Sequence, residues 1–278
     1  MSKIKLKLGI SPCPNDTFIF HALTHGKIDS NFDFEVTHLD VEALNQSVSS
    51  QTFDVCKLSY ATLANALDDY QILRSGGALG KGVGPLLIAK EEMSEAQIEE
   101  ASIAIPGEQT TANFLLSLAY PRAKNKQVLL FSEIEDAVLE GVADAGLIIH
   151  ENRFTYQDKG LICLMDLGNY WEQLSSALIP LGGIAVKRSL APQLKIELQD
   201  AIKASVKYAF DHPAASNGYV KAHAAEMDHE VIQKHIELYV NEFSLDVGEE
   251  GEVAVNTLFN KAVEKELVEE ISKPIFVT

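Results

Sequence analysis

A single histidine follows a short apolar run in the middle of this chain. Residues 145–149 are apolar and rich in β-branched side chains, which predicts a buried strand, and His150 comes directly after them. Open α/β sheets form their ligand crevice at the carboxyl ends of their strands. Because histidine titrates near neutral pH, it can take or give a proton there. We therefore predict a proton-transfer role for His150; the alternative is a histidine that caps the strand or bonds a loop carbonyl.

Two threonines stand at the start of a predicted helix. Residues 105–113 join a strand to a helix, and Thr110 and Thr111 fall where the helix begins. Free backbone N–H groups and two hydroxyls at such a point suit a carboxylate or a phosphate. The alternative is ordinary N-capping, for which one threonine would be enough.

Two further loops also lie between a predicted strand and a predicted helix. In residues 56–60, Lys57 offers positive charge, and Ser59 either caps the helix or binds an anion. In residues 11–17, two prolines fix the loop, and Asn15 offers a cap or a ligand contact. Cys13 is expected to be a packed thiol, because the sequence shows no base beside it.

The glycine-rich loop 76–85 does not match a nucleotide-binding motif. The P-loop needs Ser or Thr after Gly-Lys, whereas Gly82 follows Lys81. The dinucleotide fingerprint needs a helix after its glycines, whereas Pro85 and a predicted strand follow here. A hinge, or a close approach of the backbone to a ligand, is the better interpretation.

The remaining histidines predict no metal site. His21 and His25 are four residues apart, as metal ligands on one helix face often are, but no carboxylate or cysteine stands at a matching spacing. His223, His229 and His235 belong to a polar helical tail and are expected to lie in solvent.

Composition narrows the class of protein. The 278 residues are 46% hydrophobic and carry a formal net charge of −17, which suits a globular protein and disfavours nucleic-acid or anionic membrane partners. No apolar run approaches the roughly 20 residues of a membrane span. Three widely separated cysteines and an N-terminus that alternates Lys with apolar residues predict a cytoplasmic protein without a signal peptide.

The pattern of elements predicts an α/β fold with two lobes around one cleft. Strands alternate with short helices up to about residue 187, and residues 132–135 look like a capping box. Beyond that, three amphipathic helices are predicted near 192–211, 214–241 and 248–268. We assign 1–88 and 184–278 to a larger lobe with a helical C-terminal tail, and 89–183 to a smaller lobe. Two crossover strands, near 85–90 and 182–187, would join them.

The chain resembles the 1,4-dihydroxy-6-naphthoate synthase family of the futalosine route to menaquinone. The resemblance covers nearly the whole chain, in the family's order, although the tail after about residue 190 carries no motif. The matching segments are Ser11-Pro-Cys-Pro-Asn-Asp-Thr-Phe18, Lys57-Leu-Ser-Tyr60, the glycines of 80–84 with Pro85, Gly107 with Thr110-Thr111-Ala112, and Leu147-Ile-Ile-His-Glu151.

What the resemblance implies is specific. The family has the two-lobed fold of type II periplasmic binding proteins, and it cleaves cyclic dehypoxanthinylfutalosine to 1,4-dihydroxy-6-naphthoate and dihydroxyacetone. Its proton acceptor falls on His150. Its substrate-contacting segments fall on Lys57, Leu58 and Ser59 and on Thr110, Thr111 and Ala112. A carboxylated small molecule is then the expected partner, with neither a metal nor an organic cofactor.

Two rival functions stay open at this point. Chorismate dehydratase of the same pathway resembles this fold and also handles a carboxylated ring, although the loop 11–18 and the pair His150-Glu151 favour the synthase. A non-catalytic solute-binding protein is the other rival. The sequence does not predict the oligomeric state or a general acid, for which Asp16, Tyr60 and Asn152 are unranked candidates.

Overall fold

The computed structural model describes residues 3–224 and 228–278. Its strands alternate with helices through the first two thirds of the chain, as the sequence predicts. The eleven strands of the described residues are β1 Ile4–Ile10, β2 Phe32–His38, β3 Val55–Ser59, β4 Tyr70–Ile72, β5 Ala78–Gly80, β6 Leu86–Ala89, β7 Ile103–Ile105, β8 Lys126–Val128, β9 Ala145–Ile148, β10 Ile162–Asp166 and β11 Ile179–Lys187.

The strands form two mixed sheets. The first has the order β2-β1-β3-β11-β4, with β5 also paired to β11, and the second has the order β10-β6-β9-β7-β8. In the first sheet β1 runs parallel to β2 and β3, while β11 is antiparallel to its neighbours. In the second, β7 runs parallel to β8 and β9, and β6 is antiparallel to β9 and β10. The fold class is therefore α/β, as predicted.

Helices cover the sheets and form most of the C-terminal third. They are α1 Pro14–Thr24, α2 Val41–Gln46, α3 Tyr60–Ala66, α4 Glu95–Glu100, α5 Thr111–Ala119, α6 Ile134–Leu139, α7 Leu167–Ser175, α8 Pro192–Asp211, α9 Asn217–His223, α10 His229–Tyr239, α11 Glu242–Leu245 and α12 Gly248–Glu264. Short 3₁₀ turns occupy Phe131–Glu133, His150–Phe154 and Pro213–Ser216. None of the helices in the described ranges is long and apolar enough to cross a membrane.

The chain passes between the sheets twice. It leaves the first sheet after β5 and enters the second with β6, and it returns with β11. At the first passage Gly84 packs against Gly168, where an added methyl group would lie 2.2 Å from the Gly168 Cα. Only a residue without a Cβ fits this contact, which explains the end of the glycine-rich loop. Our division into lobes 1–88 with 184–278 and 89–183 stays a proposal.

Several local predictions were wrong. β3 extends to Ser59, so Lys57 and Ser59 lie in the strand itself and not in a loop after it. The expected capping box at 132–135 does not form, because α6 begins at Ile134 and its N-cap, Glu133, makes no side-chain cap bond. The predicted helix 214–241 is divided into α9 and α10, and its residues 225–227 lie outside the described part of the chain. β10 and α7 were not predicted, although Asp166, which caps α7 by accepting from the Gly168 and Asn169 N–H groups, marks the boundary between them.

Candidate active site

A cavity lies between the two sheets. Every predicted site residue lines it, although these residues come from four separate parts of the sequence. The lining consists of Ser11, Asn15, Asp16, Val41, Lys57, Leu58, Ser59, Ala78, Val83, Pro85, Thr110, Thr111, Ala112, Ile149, His150, Leu181, Gly182 and Tyr239.

His150 begins the 3₁₀ turn that follows β9 and is half-buried in the cavity wall. Its φ of 59° lies in the left-handed region, which is uncommon for a residue with a side chain and recurs at functional positions. The ring packs edge-on against Phe131, with centroids 5.0 Å apart. Within residues 3–224 and 228–278, no hydrogen bond to either ring nitrogen of His150 is found. A ring nitrogen is therefore open to a ligand.

The start of α5 forms the second wall of the site. Thr110 is the N-cap, and its hydroxyl accepts from the Asn113 N–H and donates to the Gly107 carbonyl at 2.8 Å. The Thr111 hydroxyl accepts from the Ala61 N–H and donates to the Leu181 carbonyl at 3.0 Å. Both hydroxyl hydrogens are thus already used. What this helix end offers a ligand is the N–H groups of Thr111 and Ala112, which have no acceptor within the helix.

Ser59 is held by a residue that the sequence analysis missed. Asn45 of α2 donates from Nδ2 to the Ser59 hydroxyl at 3.1 Å and accepts the Ser59 N–H at 2.9 Å. The Ser59 side chain does not cap α3. Because its oxygen only accepts from Asn45, the hydroxyl hydrogen of Ser59 remains available to a ligand in the cavity.

Lys57 carries the positive charge of the site but shares it with Asp16. Its ammonium lies 2.7 Å from Asp16 Oδ1, and both side chains are buried. Asp16 also accepts from the backbone and hydroxyl of Ser11 and from Asn15 Nδ2. The ammonium retains donors beyond the one used by Asp16, one of which points to the Gly76 carbonyl at 3.4 Å.

Comparison with known proteins shows the family of this chain. A family profile described as menaquinone biosynthesis matches residues 6–264. A Thermus thermophilus protein named 1,4-dihydroxy-6-naphthoate synthase is 46% identical over 98% of this chain and 99% of its own length. A Streptomyces coelicolor protein of the same name is 44% identical over 96% of both chains.

The chain belongs to the menaquinone-biosynthesis family. The resemblance to 1,4-dihydroxy-6-naphthoate synthases is thereby confirmed. A solved structure from Archaeoglobus fulgidus is 33% identical to this family member and covers 95% of it and 98% of its own chain, with a TM-score of 0.90. The periplasmic aliphatic sulphonate binding protein of Escherichia coli, 13% identical, covers 100% of this chain and 94% of its own, with a TM-score of 0.65. The predicted periplasmic-binding-protein fold is thus confirmed.

Electrostatics favour an unprotonated His150 in this family member. Burial lowers the pKa of His150 to about 4; neighbouring His235 lowers it as well, while the carboxylate of Glu151 opposes them. At neutral pH the ring is therefore neutral and has a lone pair for a proton.

Cys13 lies closer to His150 than the sequence suggested. Cys13, His150 and Glu151 each place a donor atom within 4.8 Å of the other two, a grouping that could hold a metal ion. Burial and the nearby Glu151 raise the pKa of the Cys13 thiol well above its usual value, so without a metal ion the thiol is neutral at neutral pH. That the site takes no metal stays a prediction.

The helical tail contributes to the site, which the sequence analysis did not foresee. His235 of α10 was expected in solvent, yet it is fully buried and stacks on His150 with ring centroids 5.8 Å apart. Tyr239, one turn further on, lines the cavity. The sequence did contain a signal for this burial. Positions 232, 236 and 239 form an apolar face of the helix, and position 235 lies on that same face.

Only one of the three candidates for a general acid lies in the wall of the cavity. Asp16 lines the cavity. Asn152 instead donates to Glu135 at 2.6 Å, and Tyr60 is buried in the core with its pKa raised by desolvation. Neither Asn152 nor Tyr60 lines the cavity.

Proposed function

We propose that this chain cleaves cyclic dehypoxanthinylfutalosine to 1,4-dihydroxy-6-naphthoate and dihydroxyacetone, as a carbon–carbon lyase with His150 as general base. The observation that carries this proposal is the convergence of His150, Lys57 to Ser59, Thr110 to Ala112 and Asn15 on one cavity, in a chain whose named relatives match it from end to end.

The carboxylate of the substrate would bind between the two lobes. The donors that support this are the first-turn N–H groups of α5, the free hydroxyl hydrogen of Ser59, and the remaining hydrogens of Lys57. They form a local positive site in a protein of net charge −17. Leu58, Val83 and Leu181 provide apolar contact for the rings.

The chemical step needs one base and no oxidant. His150 removes an acidic proton from the ring system, and the electron pair left behind breaks the carbon–carbon bond to the three-carbon fragment. That fragment takes a proton back and leaves as dihydroxyacetone, while the remaining rings become aromatic. Closure of the lobes would exclude water during this step. Direct contacts between the lobes, such as the Thr62 hydroxyl on the Gln109 carbonyl at 2.8 Å, are in place around the cavity.

The pH dependence of catalysis should reveal the lowered pKa of His150. An ordinary histidine base, with a pKa near 6.5, would lose about tenfold in kcat/KM between pH 7.5 and pH 5.5. A base with a pKa of about 4 stays unprotonated over this range, so we expect kcat/KM to change less than about twofold. Circular dichroism at both pH values controls for unfolding. An acid limb centred near pH 6.5 would contradict this prediction.

The proposed reaction is tested by a mass-spectrometric assay. The purified chain is incubated with cyclic dehypoxanthinylfutalosine or with chorismate, and we expect dihydroxynaphthoate from the first and no dehydration product from the second. Dehydration of chorismate without cleavage of the futalosine derivative would instead identify a chorismate dehydratase. Tight calorimetric binding of the futalosine derivative without any product would identify a binding protein.

We place the reaction in the cytoplasm. All three cysteines of the chain are free, which suits a reducing compartment. A small carboxylated molecule is the only partner that we propose.

A further inference from the structure

Behind His150 lies a buried pair that the mechanism above does not use. His235 is fully buried, and Glu151 is 5% exposed. His235 Nδ1 lies 3.4 Å from Glu151 Oε2, and its Nε2 lies 2.9 Å from Asn15 Oδ1. Within the described ranges, neither carboxylate oxygen of Glu151 has an ordinary hydrogen-bond partner. A buried carboxylate so placed needs a proton or a cation beside it.

The hydrogen-bond chain fixes where that proton is. Asp16 is paired with Lys57 and only accepts, so Asn15 must direct Nδ2 toward Asp16, at 2.9 Å, and Oδ1 toward His235. His235 Nε2 must therefore carry a hydrogen. Nδ1 faces a carboxylate, and two lone pairs cannot face each other at this distance without strong repulsion. We infer that a proton on one of these two side chains removes this repulsion, which makes the pair neutral overall.

We propose that His235 and Glu151 form a charge-balanced pair that orients Asn15, in which His235 offsets the effect of the Glu151 carboxylate on the protonation of His150. His235 does not line the cavity and is a positioning residue, not a catalytic one. The role of this pair in catalysis rests on the proposed function, whereas its effect on His150 can be tested in the ligand-free protein.

Charge balance explains how the pair would act on His150. The imidazolium of His235, stacked on the His150 ring at an interplanar angle of 20°, disfavours a second positive charge there. Glu151 acts in the opposite sense and would stabilise His150 once it has taken the substrate proton. Burial disfavours the carboxylate form of Glu151, but the neighbouring His235 and His150 outweigh burial and lower the pKa of Glu151. The two charges thus offset each other at His150, and burial keeps its ring unprotonated at rest.

Other charged and titratable groups surround this pair from each packed element. They are Cys13 and Asp16 of the loop and helix α1, Lys57 of β3, Arg153 of the 3₁₀ turn, and Tyr239 of α10. None of these residues is substituted in the variants used below. A shift in the midpoint of the His150 titration therefore reports on His235 and Glu151.

The test is a titration of the His150 ring by NMR in the ligand-free protein. His235→Phe keeps the ring volume and removes the positive charge, which leaves Glu151 unbalanced beside His150. We expect the midpoint of the His150 titration to rise by about one pH unit or more. The double variant His235→Phe/Glu151→Gln removes both charges, and the midpoint should return to within about half a pH unit of wild type.

Two further variants guard against a misfolded protein. His235→Gln keeps an N–H donor for Asn15 without a positive charge and should shift the midpoint in the same direction as His235→Phe. Glu151→Gln alone can donate to a neutral His235 and should leave the midpoint near the wild-type value. Unchanged midpoints in both His235 variants, or a shift that survives in the double variant, would overturn the proposal.

The catalytic readout separates this inference from the proposed function. If wild type converts the futalosine derivative, the acid limb of kcat/KM should move upward in His235→Gln together with the NMR midpoint. If wild type has no such activity, the proposed function fails, while the NMR titration still decides whether the pair controls His150.

Discussion

Replacement of His150 by alanine should lower kcat at least ~100-fold, the usual scale for loss of a general base, while KM changes less than about threefold. His150 is in the wall of the cavity and has no hydrogen bond within the described residues that would make it a structural support. The groups that we propose to bind the substrate carboxylate lie elsewhere, on β3 and at the start of α5. Binding and chemistry should therefore separate in steady-state kinetics.

A loss of activity in His150→Ala could also come from a change in the backbone, because His150 has a positive φ. Alanine in the left-handed region costs about 1 kcal/mol or more, whereas asparagine adopts this conformation readily. His150→Asn therefore keeps the backbone and removes the base, and it should lose activity to the same extent as His150→Ala. His229→Asn, at an exposed position of α10, is the matched control. Turnover of His150→Asn within a few-fold of wild type would refute the assignment.

The sequence predicted secondary structure well where the apolar residues follow one uninterrupted helical or strand periodicity. β9, α8 and the start of α5 were predicted to within a few residues, since each has a clear apolar pattern with Gly, Pro or polar residues at its ends. β3 was misjudged because Lys57 and Ser59 read as polar loop residues. The site buries them, with Asp16 and Asn45 as the partners that make burial possible.

The site itself was predictable only where it has a local motif. His150, Thr110 and Ser59 each lie at the junction of a strand with a helix, so position alone pointed to them. His235 reaches His150 from 85 residues further along the chain, and no spacing rule connects two residues so far apart. Its partner Glu151 was recognised only as the neighbour of a histidine. Long-range contacts of this kind follow from packing of the whole chain and not from a local pattern.

The second large effect should come from the pair Lys57–Asp16, where Lys57→Met is expected to reduce the free energy of unfolding by about 3 kcal/mol. The pair is almost completely buried, so removal of the lysine leaves the Asp16 carboxylate uncompensated. Hydrogen bonds from Ser11 and Asn15 remain and keep the cost toward the lower end of the range for broken buried pairs. Urea unfolding followed by circular dichroism measures the difference.

Two comparisons identify the cause of that loss as the unpaired charge. In Lys57→Met/Asp16→Asn no charge is left in the pocket, so more than about half of the lost stability should return, although each single change destabilises. Lys187→Met breaks a more exposed pair, at 3.0 Å from Asp54, and should cost no more than about 1 kcal/mol. If Lys57→Met and Lys187→Met reduced the free energy of unfolding equally, burial would not be what makes the Lys57–Asp16 pair strong. Our structure instead implies that the Lys57 ammonium stabilises the fold through Asp16, and we propose that the same group also binds the substrate carboxylate.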